Sequence, residues 1–146
     1  MAATYTVDAS VLLNAFNPHE SGHIESQRFL AFLQAQAVPM IAPTLLLPEV
    51  AATIGRGQGD ADVAREFVAA LTRLPHLVLV PLDLALARVA TDVAARNRLR
   101  GSDAVYAAVA LRFANTLVTL DREQHDRVSG VVPTRYPVEA CRELGI

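Results

Sequence analysis

A chain of 146 residues with a formal net charge of −2 is long enough to bury roughly two-thirds of the surface its unfolded state exposes. All 13 basic residues are arginine, which excludes a Walker-type phosphate lysine, Schiff-base chemistry and a receiver-type phosphorylation site. The charge balance argues against a globally basic nucleic-acid binder but not against a nuclease whose metal supplies local positive charge.

In chain order, residues 4–7 form a short β-rich run, followed by an apolar-periodic helix from Ala9 to Phe16 that Asn17-Pro18-His19 breaks. Residues 22–36 carry Ile24, Phe29, Phe32 and Leu33 at helical spacing. A second strand spans 39–42. Thr44 is placed to cap a helix over 45–54, with Pro48 near its first turn, where proline is least harmful. Gly55 to Gly59 reads as a loop. Asp60 then caps a helix through Val63, Phe67 and Leu71.

The third strand spans 77–80, and apolar spacing predicts a helix over 83–99. Ser102 is expected to cap a helix over 103–113. The fourth strand spans 116–119, Asp121 opens a short helix, Val131-Val132 reads as a last strand, and a helix starts at Pro137. Strands alternating with helices predict one α/β domain over residues 1–146, with a parallel sheet covered on both faces. The N-terminus shows no signal-peptide pattern and no apolar run is long enough to span a bilayer, so a cytoplasmic protein without membrane association is expected. The lone cysteine, Cys141, excludes an internal disulfide and a cysteine-based zinc cage.

Four acids stand where a predicted strand ends or a predicted helix begins: Asp8, Glu49, Asp103 and Asp121. In open α/β sheets, ligands bind outside the carboxyl ends of the strands, where such residues converge. Each acid also has a structural explanation. Asp8 and Asp121 suit helix caps, the latter in a capping box with Gln124, and Asp103 complements a helix dipole. Glu49 is harder to explain structurally, because Leu45, Leu46, Ala52 and Thr53 occupy the positions three and four residues away. Like charges about 4 Å apart repel by roughly 4 kcal/mol at an effective dielectric near 20, a penalty that a divalent cation removes. Hard oxygen donors of this kind suit Mg²⁺, or alternatively Mn²⁺.

The strings Val7-Asp8-Ala9-Ser10, Pro48-Glu49-Val50, Ser102-Asp103-Ala104-Val105-Tyr106-Ala107-Ala108 and Thr119-Leu120-Asp121 resemble, in order and spacing, the PIN domain. They resemble more closely the VapC ribonuclease toxins of type II toxin–antitoxin systems. The resemblance implies a PIN-like three-layer α/β/α sandwich with a central parallel sheet of four to five strands. It also implies an endoribonuclease that cuts RNA with a metal-activated water. By the same resemblance Asp8, Glu49, Asp103 and Asp121 are the catalytic and metal-holding acids. Ser10 and Thr119 orient them, and Asp126 is a candidate outer acid whose alternative is a solvated helix face.

Arg96, Arg98, Arg100 and Arg122 are candidates for the RNA backbone; otherwise they are ordinary surface or helix-terminal cations. His125 is the only histidine near the acids, with a structural role preferred. The partners implied are a VapB-like antitoxin, seated in a groove of the helices around 45–54 and 60–71, and a second toxin copy. The assembly expected is a homodimer, or a heterotetramer or larger with antitoxin. A stand-alone PIN nuclease in RNA processing or decay, and a non-catalytic PIN-fold binding module, are the alternatives.

Overall fold

The computed structural model describes residues 3–146. Its elements run β1 (Tyr5–Val7), α1 (Ala9–Phe16), α2 (His23–Ala35), β2 (Met40–Pro43), α3 (Leu46–Gln58), α4 (Ala61–Thr72) and β3 (Leu77–Val80). They continue with α5 (Leu84–Asn97), α6 (Gly101–Arg112), β4 (Thr116–Val118), α7 (Arg122–Val128), β5 (Thr134–Arg135) and α8 (Pro137–Leu144).

The five strands lie in the order β3-β2-β1-β4-β5, and all pairs are parallel. From β1 the chain builds outward through β2 and β3, then crosses to the other side for β4 and β5. The strand order therefore reverses between β1 and β4, and a crevice opens there at the carboxyl ends of the strands. Because the sheet is covered on both faces, its inner strands are buried throughout: Tyr5–Val7 and Met40–Pro43 have no exposed position.

Helix α6 is the central helix. Residues Asp103 to Ala110 are all buried, which an amphipathic surface helix never achieves. Its buried alanines, Ala104, Ala107, Ala108 and Ala110, suit a helix packed between β1, β2 and β4 and helix α5. Among the described residues no helix is long and apolar enough to cross a membrane.

Four local expectations are corrected. The last strand is Thr134–Arg135, not Val131-Val132, whose amides close the end of α7 on Val128 O at 2.8 and 3.1 Å. Pro133 follows, and its carbonyl receives Leu117 N–H at 2.9 Å to begin the β4–β5 ladder. The Gly55–Gly59 stretch is not a loop. Helix α3 continues through Gly55 and Gly57 and stops only at Gly59, whose φ of 64° is the left-handed conformation that ends helices.

Thr44 does not cap α3; its Oγ1 accepts from Leu82 N–H at 3.2 Å. Ser102 does not cap α6, because Arg100 holds the cap position and Ala104 N–H bonds Arg100 O at 3.0 Å.

Candidate active site

Asp8 leaves β1 and caps α1, its Oδ2 accepting from Ser10 N–H at 3.1 Å and from the Thr119 hydroxyl at 3.4 Å. Its own N–H bonds Val118 O at 3.0 Å, which locks the end of β1 to the end of β4 at the point where strand order reverses. Asp121 caps α7 through Gln124 N–H at 3.0 Å. The reciprocal half of the expected capping box does not form: the side-chain amide of buried Gln124 has no protein partner, and Asp121 N–H instead bonds Thr119 Oγ1 at 3.0 Å.

Thr119 is fully buried and serves both acids. Its hydroxyl also lies 3.5 Å from Ser10 Oγ, which accepts from Leu120 N–H at 3.0 Å. Ser10 and Thr119 thus tie the α1 and α7 caps together.

Asp103 stands in the first turn of α6, nearly buried, and Glu49 in the first turn of α3, partly exposed. Pro48 is the third residue of α3, a position whose N–H has no intrahelical acceptor to lose, so the helix is unbroken. The Tyr106 hydroxyl donates to Glu49 Oε1 at 2.7 Å. The Tyr106 ring is fully buried, and burial pushes its own pKa far up, so it remains a donor.

The charges respond to one another. Burial raises the pKa of Asp8 against the pull of Ser10 and Thr119, and Asp121 raises it further. Burial likewise raises Glu49 against the Tyr106 hydrogen bond, with Asp8 and Asp103 adding repulsion. Asp103 is raised by burial although Arg100 opposes it, with Asp121 and Asp8 repelling. For Asp121 burial acts upward, but Gln124 N–H and the Arg100 guanidinium outweigh it and hold the carboxyl below its ordinary value. All four acids thus form one electrostatic cluster.

Arg100 is the cation in that cluster. Its Nε donates to Asp103 Oδ2 at 2.9 Å and its Nη2 to Asp121 Oδ2 at 2.6 Å. In donor chemistry the cluster fits a hard divalent cation: its ligands are carboxylate oxygens, three with raised proton affinity, and a guanidinium already stands in for positive charge. As placed, however, no three His, Cys, Asp or Glu side chains among the described residues gather tightly enough to hold a metal ion.

The other candidates lie elsewhere. Arg96 pairs with Asp92 on α5 at 2.9 Å. Arg98 ends α5 in the left-handed conformation, and its carbonyl accepts from Arg127 Nη1 at 2.7 Å. Arg122 is exposed at the start of α7. Asp126 belongs to a second cluster, 3.1 Å from His125 Nδ1, while His125 Nε2 meets Glu139 at 3.1 Å and the ring stacks on Tyr136 at 3.9 Å. Sequence reasoning missed Tyr106. The available signal was a tyrosine one helical turn after Asp103 in an otherwise aliphatic helix.

A family model described as the PIN domain matches residues 5–131. VapC20 of Mycobacterium tuberculosis, a sarcin–ricin loop cleaving toxin, is similar in fold with a TM-score of 0.72 and 20% identity, over 90% of this chain and 99% of that one. FitAcB from Neisseria gonorrhoeae aligns with a TM-score of 0.71 and 15% identity, over 92% and 99%. VapBC2 from Rickettsia felis, bound to a DNA fragment from its promoter, aligns at 0.69 and 13%, over 91% and 98%. No curated protein matches the chain in sequence.

Proposed function

The chain belongs to the PIN-domain family, and from that premise we propose that it is a divalent-metal-dependent endoribonuclease acting as the toxin of a toxin–antitoxin pair. The observation that carries the reading is the hydrogen-bond network of the four acids: Thr119 joins Asp8 to the Asp121 backbone, Arg100 bridges Asp103 and Asp121, and Tyr106, on the same helix as Asp103, holds Glu49. These four acids would hold Mg²⁺ or Mn²⁺, which when bound offsets their repulsion and supplies Lewis-acid activation of water and of a phosphate oxygen.

This chain's residues then do the positioning. The Ser10 N–H and the Thr119 hydroxyl fix the Asp8 carboxylate, and Thr119 also accepts from the Asp121 N–H, so that both acids are held at the sheet ends. Tyr106 fixes Glu49, the partly exposed acid, which we assign to receive the proton of the attacking water. Water adds at phosphorus as one of its protons passes to Glu49, the P–O3′ bond breaks, and the departing O3′ takes a proton from solvent, giving a 5′-phosphate and a 3′-hydroxyl. Arg100 is half exposed, and its fork, released from Asp103 and Asp121, would suit a phosphate oxygen pair.

A VapB-like antitoxin partner is supported by the similar structures, several of which are toxin–antitoxin complexes. It is supported also by an open hollow of about 410 Å³ between α1 and α3, where Leu13, Phe16 and Ile54 stand beside polar Asn17, His19, Glu20 and Gln58, without a residue of α4. We take that hollow as the seat of an amphipathic antitoxin segment, and the toxin as a homodimer in the assembly.

The test is incubation of purified protein with end-labelled total RNA in Mg²⁺ or Mn²⁺, against EDTA and an Asp8→Asn control. Discrete bands that require metal and vanish in the variant are expected. Cleavage that survives both EDTA and Asp8→Asn would overturn the assignment, and a sarcin–ricin loop oligonucleotide in parallel tests whether that target is shared.

A further inference from the structure

The acidic cluster contains its own competitor for a metal ion. Arg100 closes on Asp103 and Asp121, which belong to different elements, and it does so through the same kind of oxygen on each, Oδ2. The preceding Leu99 is buried, and the Arg100 backbone is extended at φ −63° and ψ 151°. The Arg100 side chain is 53% exposed, so the two carboxylates hold it in place rather than packing. A guanidinium has no neutral form to adopt near neutral pH, so its charge leaves the cluster only if the side chain moves.

A divalent ion needs the carboxylate oxygens that Arg100 now occupies, and two cations on the same oxygens exclude one another by contact and by repulsion. Asp103 and Asp121 are the two acids whose carboxylates bond the fork, while Asp8 and Glu49 are held by Ser10, Thr119 and Tyr106.

We propose that Arg100 is a built-in counter-cation that holds the metal-free cluster together and must be displaced when a divalent ion enters. The proposal rests on the metal-site reading above. Metal affinity in this chain is then set by the acids' affinity for the ion minus their affinity for Arg100. Removing the fork tightens metal binding, which is opposite to the effect expected of a residue that helps build the site.

The experiment measures Mn²⁺ affinity, by titration calorimetry and by the paramagnetic resonance of free Mn²⁺, for wild type, Arg100→Ala, Arg100→Gln and Arg96→Ala. Circular dichroism checks each fold, and the glutamine variant keeps the side-chain length if alanine impairs folding. Both Arg100 variants are expected to bind Mn²⁺ roughly three- to tenfold tighter, a range limited by the exposure of the pair. Arg96→Ala removes the same charge away from the cluster and is expected to match wild type. Metal-free Arg100→Ala should also melt below wild type, with the gap closing at saturating Mn²⁺.

Wild-type binding with equal or weaker binding in both Arg100 variants overturns the proposal and leaves the metal site standing. No Mn²⁺ binding by any of the four proteins overturns the metal-site reading and the proposal together. Binding by the Arg100 variants alone supports it in its strongest form.

Discussion

The Tyr106 hydroxyl donates to Glu49 Oε1 at 2.7 Å, joining residues 57 positions apart and fixing the first turn of α3 to the middle of α6. This contact opposes the burial and the charges of Asp8 and Asp103, all of which push the Glu49 pKa up. Tyr106→Phe removes the donor to Glu49 and with it the acceptor of the Ala9 backbone N–H. The acid limb of the pH–rate profile should then move to higher pH, with kcat falling about tenfold and KM within about twofold of wild type. Stability should fall by about 1 kcal/mol, less than the roughly 1.5–3 kcal/mol of a buried hydrogen bond to a charged group because Glu49 is partly exposed. An unmoved acid limb would show that Tyr106 does not tune Glu49.

Thr119 makes its hydrogen bonds with no exposed surface. Thr119→Val keeps the shape but strands Asp121 N–H and removes a donor from Asp8, and should destabilise the protein by roughly 1–3 kcal/mol. Thr119→Ser retains the hydroxyl and should recover most of the activity. Urea midpoints and cleavage rates for the two variants check this; equal losses would point to the methyl group rather than the hydroxyl.

The pH dependence of metal-free stability has a definite sign. Asp8, Glu49 and Asp103 have raised pKa values, so the folded form binds more protons than the unfolded form just above the ordinary carboxylate range. Their contribution therefore falls as pH rises through that window. Asp121, held low, acts the other way: its contribution is present above the unfolded value and is lost as pH falls through its folded value. Urea unfolding across pH 4–8 should place maximum metal-free stability on the acidic side of neutrality, and Mg²⁺ should flatten the decline above it. A metal-free maximum at alkaline pH would contradict the burial of these charges.

Asp8→Asn keeps the shape of the cap and removes one buried charge. Activity should fall by at least about 10²-fold, or about 2.7 kcal/mol in the barrier. The metal-free melting temperature at neutral pH should rise at the same time, since Asp8 is raised chiefly by burial. Opposite movements of activity and stability separate this from a folding defect; loss of both would indicate a structural role only.

Ala108 is fully buried on every side of α6. Ala108→Leu should cost about 1–3 kcal/mol by overpacking the surroundings of α6. Leu111, 46% exposed on the same helix, should tolerate alanine within about 0.5 kcal/mol. Denaturant midpoints measure both.

What could be read along the chain is what depends on neighbours in sequence. The capping geometry of Asp8, Asp60 and Asp121 follows from a side chain reaching amides two or three residues on, and the structure shows those bonds. The alternation of apolar strands and helices led directly to a parallel α/β sheet for the same reason. The local errors arose where local signals competed. Glycines that resembled a loop were carried inside α3 by packing against α4, and two valines that resembled a strand were drawn into the end of α7.

Three features took their partners from the folded chain: the hydroxyl of Tyr106 on Glu49, the Thr119 hydroxyl, expected by resemblance to orient the acids, shared by Asp8 and the Asp121 backbone, and the Arg100 fork closed across Asp103 and Asp121. Each joins residues from separate elements, and the crossover that reverses strand order beside β1 sets their distances. Periodicity and capping fix where a side chain leaves its own element. Which distant partner it meets is decided by how α3, α6 and α7 pack at the ends of β1 and β4.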